Sequence, residues 1–165
     1  MSQNQEQPAG LPRQKRQFCT FYIGDDLYGI DILDVKEIID EVKLTQIHHA
    51  ANEILGLMNI RGQVYLVLDL RLLLNFQKKD IDEMSRVLLF HSKVGESFGV
   101  MVDQIGHMVE VHENLIEYRV PDDKSLPGSE KNKSDLEVGA CKLKNQLLII
   151  LDASKFLNAV SIDTR

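Results

Sequence analysis

Histidines, carboxylates and thiols are the side chains whose spacing is worth testing for chemistry. His48 and His49 are adjacent. On a strand, neighbours point to opposite faces and cannot readily share one metal ion, so the pair reads as loop histidines. Asp25-Asp26 and Asp122-Asp123 are paired carboxylates, the groups that general acid–base catalysis uses. Each pair sits among turn formers, however, and reads as a solvated turn. His91, His107 and His112 have no serine or cysteine at a spacing that suggests a nucleophile, although sequence distance alone does not exclude a spatial triad. Cys19 and Cys141 lie far apart, each inside an apolar strand-like run. They read as reduced, buried thiols of a cytoplasmic protein rather than as a disulfide framework. P-loop, GxGxxG and HExxH patterns do not occur. The expectation is a protein with no catalytic residues, no cofactor and no metal. A small β-barrel enzyme working with carboxylates is the alternative; it requires an Asp or Glu substitution to abolish turnover while binding survives.

Recognition is the other chemistry on offer. Residues 56–71 read GLMNIRGQVYLVLDLR, apolar on both sides of the interruption Asn59-Ile60-Arg61-Gly62-Gln63. Gly62 can take the positive φ that a tight hairpin needs. Asn-Gly or Asp-Gly would make a better bare turn, so Arg61 is either a solvated turn residue or a side chain placed to meet another molecule.

The elements that must position this turn follow from pattern. Hydrophobic content is 44% and charged content 27%, an ordinary globular balance that can furnish a core for one domain or two small joined ones. A net charge of −6 without a basic block disfavours nucleic acid and anionic membrane surfaces as partners. No apolar run approaches the roughly 20 residues that span a bilayer, so no membrane insertion is expected, and the polar N-terminus lacks the apolar core of a secretory signal. Residues 1–16 read as a disordered tail. FCTFYI and LYGIDI flank a Gly24-Asp25-Asp26 turn as two strands. LDVKEII is compatible with a short helical turn or an irregular edge strand. Residues 57–60 and 64–68 form a hairpin; Asp69 caps a short helix that stops at Asn75. Strands are expected at 86–91, 98–102 and 105–111, a long loop at 121–135, then a hairpin and a short helix capped by Asp152.

An internal repeat organises these elements. At an offset of 83, GLMNIRGQVYLVLDLRLLLN lies over GACKLKNQLLIILDASKFLN without a gap, placing Arg61 on Lys144, Asp69 on Asp152 and Asn75 on Asn158. At an offset of 70, YGIDILDVKEI lies over FGVMVDQIGHM, with Gly29 on Gly99. The difference, 83 − 70 = 13, falls in the 121–135 loop. The chain reads as two copies of one unit of about five short strands, each best closed into a little barrel to hide its edges. Strands apolar on both faces, such as 64–68 and 147–151, need a second burial site, either the other barrel or a partner.

YGIDILDVKEI, GLMNIRGQVYLVLDLR and FGVMVDQI, in that order, resemble the CheW family of chemotaxis coupling proteins, whose middle motif runs G-x-x-N-[LI]-R-G-x-x-x-[PV]-[IV]-[LV]-D-L-R. The likeness covers residues 17–158. It implies a mainly β fold: two five-stranded Src-homology-3-like β-barrels packed together in one CheW-like domain over 17–160, with short helices. The first barrel is expected over 24–78 and the second over 17–23 plus 82–158. The resemblance further implies a non-catalytic adaptor that couples chemoreceptor cytoplasmic tips to the regulatory domain of the histidine kinase CheA. Such an adaptor joins other CheW-like domains in rings, and is cytoplasmic, recruited to membrane receptor arrays. A module from a hybrid adaptor with a receiver domain is the variant reading.

Carried over position by position, the resemblance assigns partner binding to the motif residues Gly56, Asn59 and Arg61. It adds Glu37, expected to pair with Arg61 across the hairpin tip, and the apolar Val35 and Ile38, for which core packing is the competing reading. In the second copy it assigns Val100, Asp103, Ile105 and Met108, which border the groove between barrels; Met108 serves either as an adaptable contact or as core. Two departures stand out. The family's prolines before the central motif are missing from QIHHAANEI, and Tyr65 occupies a run of aliphatics, where it becomes a contact if its hydroxyl faces outward.

Overall fold

The computed structural model describes residues 14–120 and 135–160. The tail expected over 1–16 lies outside these residues except at its end, as does nearly all of the 121–135 loop. Where the two meet, order starts earlier than the sequence suggests. Strand β1 runs over Lys15–Ile23, because Lys15 to Phe18 pair with His112 to Val109 and Arg16 forms an ion pair with Asp31.

Among the described residues eleven further strands follow. β2 (Asp26–Asp31) completes a hairpin with β1, and a 3-10 turn at Ile32–Asp34, capped by the Asp31 carboxylate, leads into β3 (Val35–Ile39). The LDVKEII segment is therefore both of the forms its pattern allowed. β4 (Ile54–Ile60) and β5 (Gln63–Asp69) make the motif hairpin, and α1 (Leu70–Leu73) is one turn long. β6 (Arg86–Phe90) and β7 (Phe98–Val102) form the next hairpin. The strand expected at 105–111 is broken into β8 (Gln104–Ile105) and β9 (Val109–His112). β10 (Glu117–Tyr118), β11 (Glu137–Lys142) and β12 (Leu147–Leu151) follow, and Asp152 caps a 3-10 turn at Ala153–Lys155.

The strands form two sheets. One has the order β3-β6-β7-β5-β4; the other runs β10-β11-β12-β2-β1-β8, with β9 also on β1. The fold is mainly β, as expected, but hydrogen bonding leaves both sheets as open paths rather than closed barrels. Side chains span the gap in the five-stranded sheet: Lys36 of β3, at one end, donates to the Tyr65 hydroxyl of β5 at 3.0 Å.

Strand membership corrects the expected 24–78 and 17–23 plus 82–158 division. β2 belongs to the seven-stranded sheet, and β6 and β7 belong to the five-stranded one. The cause is a reciprocal exchange. β7 pairs in parallel with β5 (Leu66↔Phe98, Val67↔Gly99), and β2 pairs in parallel with β12 (Ile149↔Tyr28, Ile150↔Gly29). The repeat offsets carry one register onto the other, since 66 + 83 = 149 and 28 + 70 = 98. Each half of the chain thus gives its leading hairpin to the sheet of the other half.

Period-2 alternation then generates three apolar clusters. Successive residues of β5 to β7 face opposite ways. Tyr65, Val67, Val87, Leu89 and Met101 fill a cluster inside the five-stranded sheet. Leu68, Leu88, Phe90, Phe98 and Val100 instead meet Phe21, Tyr28, Ile30, Leu151 and Phe156 in a core shared by both sheets. Phe18, Leu27, Cys141, Leu148 and Ile150 make a third cluster inside the seven-stranded sheet. The second burial site required by the two-faced strands is the other sheet.

Asp69 joins β5 to α1 and is completely buried. One carboxylate oxygen accepts the Arg71 N–H at 3.0 Å; the other has no partner among the described residues. Burial is the main cause that pushes its pKa up, against the backbone N–H bonds that lower it. A carboxyl whose folded pKa lies above its unfolded value costs stability at neutral pH, and that cost disappears as pH falls through the folded value. Asp69→Asn, which keeps a cap oxygen without the charge, is expected to be no less stable than the parent at pH 7. Its standing should worsen relative to the parent as pH drops. Asp69→Ala should lose about 1–2 kcal/mol with the cap. Urea titrations of the three proteins at pH 7 and pH 5 check both points.

Candidate docking site

The hairpin between β4 and β5 is a two-residue turn. Ile60 pairs with Gln63, and the central residues Arg61 (φ 49°) and Gly62 (φ 86°) are both left-handed. That is the mirror-image turn whose twist matches its strands. Asn59 serves the turn, its side-chain oxygen accepting the Gly62 N–H at 2.9 Å. Arginine at a left-handed position carries a Cβ penalty that glycine or asparagine largely escapes.

Arg61 reaches across to β3. Its two terminal nitrogens donate to the two Glu37 oxygens, one at 3.1 Å, in a fork-to-fork pair. The Arg61 hydrogen bond holds the Glu37 carboxyl below the usual range, and Glu37 raises the guanidinium in return. The expected Glu37–Arg61 pair is therefore present. The arginine side chain remains 71% exposed and the glutamate 31%, so donors not used on Glu37 face outward. Lys36, beside Glu37, is held 5.7 Å from the Tyr65 ring centroid. Tyr65 itself is buried, so the condition for an outward contact is not met and its hydroxyl bonds Lys36 instead.

The apolar neighbours of the pair in sequence are partly open. Ile38 is 38% exposed, Val35 is half-buried, and Val64, opposite Asn59 in the register, is 49% exposed. Val64 is the residue the sequence reading missed. The offset of 83 places it on Leu147, which is exposed at the start of β12 in the same way. Likewise the offset of 70 carries Ile38 onto Met108, also exposed.

Other assigned residues lie elsewhere. Val100 is fully buried in the shared core, so its side chain cannot meet a partner; the alternation that turns it inward also turns in Leu68 and Leu88. Gly56 is buried where Thr45 pairs with Leu57, and a Cβ there would run into the Thr45 carbonyl. Asp103 spends its carboxylate on Arg71 and on the Gly24 N–H at 2.8 Å. Ile105 is half-buried against the shared core. These four hold the fold, whereas Arg61, Glu37, Ile38 and Met108 are accessible.

His48 and His49 are both exposed, and among the described residues no three His, Cys, Asp or Glu side chains group so as to hold a metal ion. The surface at the hairpin tip offers a fixed guanidinium, an anchoring carboxylate and adjacent apolar side chains, a combination suited to protein recognition.

A family profile for the CheW-like domain matches residues 17–161. The chain is 26% identical over 141 residues to the chemotaxis protein CheW of Helicobacter pylori, covering 86% of this chain and 81% of that one. It is 30% identical over 146 residues to the chemotaxis protein CheW of Bacillus subtilis, covering 88% of each. The crystal structure of the scaffolding protein TtCheW from Thermoanaerobacter tengcongensis superposes with a TM-score of 0.72 at 26% identity, covering 84% of this chain and 89% of that one.

Proposed function

This chain belongs to the CheW-like domain family, and from that premise we propose that it is a non-catalytic chemotaxis scaffold that couples chemoreceptor cytoplasmic tips to the regulatory domain of the histidine kinase CheA. Its place is the cytoplasm, at membrane receptor arrays, where it joins other CheW-like domains in rings. Among the described residues no helix is long and apolar enough to cross a membrane. The relatives' names support the pathway, and the geometry of the hairpin tip supports binding as the means.

One observation carries the reading. Arg61 occupies a strained, left-handed turn position and remains largely exposed, although a better turn residue was available. An exposed ion pair is a weak reason to keep it there for stability. A surface that must present a guanidinium in one fixed orientation is a sufficient reason. Glu37 fixes the orientation, and Ile38 and Val64 provide apolar area beside it.

Arg61→Asn is the discriminating variant, because asparagine suits the turn better while removing the guanidinium. Circular dichroism should show an unchanged fold with thermal stability equal or slightly higher. Titration calorimetry against the CheA regulatory domain should show binding weakened tenfold or more, about 1.4 kcal/mol. Parent and variant binding alike would remove Arg61 from the kinase surface and leave the receptor tips as its target. No binding by the parent to either partner would sink the coupling role.

A further inference from the structure

The reciprocal exchange of hairpins divides each sheet between the two halves of the chain. The residues before the 75–85 linker supply β1 and β2 to one sheet and β3 to β5 to the other; the residues after it supply the complementary strands. Among the described residues, neither half holds a complete sheet. The halves meet through β5–β7, β2–β12, β3–β6 and β1 against β8 and β9, and all of these pairings are between halves rather than within one. The shared apolar core likewise draws Phe21, Tyr28 and Leu68 from one half and Phe90, Phe98 and Phe156 from the other. Physically, the fold is an assembly of two half-chains that happen to be joined.

Past Phe76, which packs edge-on against Tyr28 and on the shared core, the joint is loosely held. Residues 77–84 are all exposed, and Asn75 turns the chain with φ 63°. The hydrogen bonds here are local, from Arg71 Nε to the Gln77 carbonyl at 2.8 Å and among Asp82, Met84 and Ser85. A groove of about 520 Å³ lies between the linker at Lys78 to Ile81 and the segment carrying Leu44, Ile47 and Leu55, so the linker does not pack closely on the sheet beneath it. The eight exposed residues of the linker, 77 to 84, can extend over about 26 Å at roughly 3.3 Å each, enough to cross to a neighbouring molecule.

We propose that a second copy of this chain docks by exchanging halves: the half beginning at Arg86 pairs with the first half of the partner, and the 75–85 linker is the hinge. Every between-half contact of the monomer, including the Asp103 carboxylate on Arg71 and Gly24, is remade between chains, and only the linker changes path. Exchange requires the halves to separate, so the dimer forms during refolding at high protein concentration and persists on dilution.

The test uses the full chain with Gln17→Cys and Glu110→Cys. These residues are exposed and lie directly opposite each other on β1 and β9, one from each half. Cys19 and Cys141, the other two cysteines of the sequence, are buried. The protein is refolded from urea at low and at high concentration, oxidised, separated by size exclusion, and run on denaturing gels without reductant. The expected result is a dimer peak, several-fold larger after concentrated refolding, that runs as a covalent dimer, beside a monomer peak whose disulfide is intrachain. Deleting Lys78 to Ile81 shortens the hinge and should raise the dimer fraction further. A dimer that falls to monomers on the gel has its halves paired within each chain and overturns the proposal. So does the lack of any dimer in both the parent and the shortened chain.

Discussion

Asp103→Ala is expected to lower the unfolding free energy by about 3–5 kcal/mol, as removal of one partner from a buried ion pair does. Asp103 sits where the chain leaves β7 of the five-stranded sheet for β8 of the seven-stranded one. Its carboxylate receives the Arg71 guanidinium from the end of α1 and the Gly24 N–H from the β1–β2 turn, so one side chain ties three segments and both sheets. The two side chains are only 11% and 14% exposed, which limits solvent screening. Arg71 is further committed: it lies 5.6 Å from the Phe76 ring centroid and donates to the Gln77 carbonyl. With Asp103 removed it cannot swing into water without giving up both contacts. The loss in the alanine variant is therefore mostly the cost of an uncompensated buried cation.

A double-mutant cycle separates that cost from the worth of the pair. Arg71→Met with Asp103→Ala should be more stable than Asp103→Ala alone, and urea titrations of all four proteins read the coupling directly. The result also bears on function. Asp103 was assigned to partner binding by resemblance, and a binding defect in Asp103→Ala would trace to the fold if the Arg71→Met companion relieved it. A defect that persists at restored stability would place Asp103 back at a docking surface.

Local features of this fold were legible in the sequence, and long-range ones were not. The Gly62 turn, the Asp69 and Asp152 caps, the Asn75 stop and the Glu37–Arg61 pair all depend on residues close in chain or fixed by motif. The repeat was legible too, because its offsets align turn and cap together. What the repeat could not reveal was which hairpin belonged to which sheet. β5 and β12 are apolar on both faces, so parity alone does not say which face meets the interior of its own sheet and which meets the other sheet. Val100 shows the consequence: the resemblance picks out the position but not the face to which its side chain turns. Exposure at Val64 and Leu147 was hidden for the same reason, each standing at the head of an otherwise buried apolar run. The direction of the Tyr65 hydroxyl was not legible because the partner that satisfies it, Lys36, comes from a strand at the opposite end of the sheet path.

Gly56→Val should destabilise the protein by about 3 kcal/mol or more, combining backbone strain with a steric conflict that has no flexible side. Gly56 has φ 149°, a region nearly closed to L-residues, and the obstacle to a Cβ is the Thr45 carbonyl rather than a side chain that could swing away. Thr45 is there for a reason. Its N–H and C=O exchange 2.8 Å hydrogen bonds with Leu57, a bridge that covers the outer edge of β4. The segment lacks the prolines that would stiffen it, so this bridge and the missing Cβ hold it in place. Gly62→Ala is the control: φ is 86° but nothing lies within 4 Å, so only the backbone term of about 1 kcal/mol should be lost. If Gly56→Ala costs clearly more than Gly62→Ala, the excess measures the collision with Thr45. Amide exchange at Leu57 should then quicken selectively, with the Arg61 tip intact and the β4 edge opened. Equal costs would mean that the 40–53 segment yields without resistance, and that Gly56 serves backbone conformation alone.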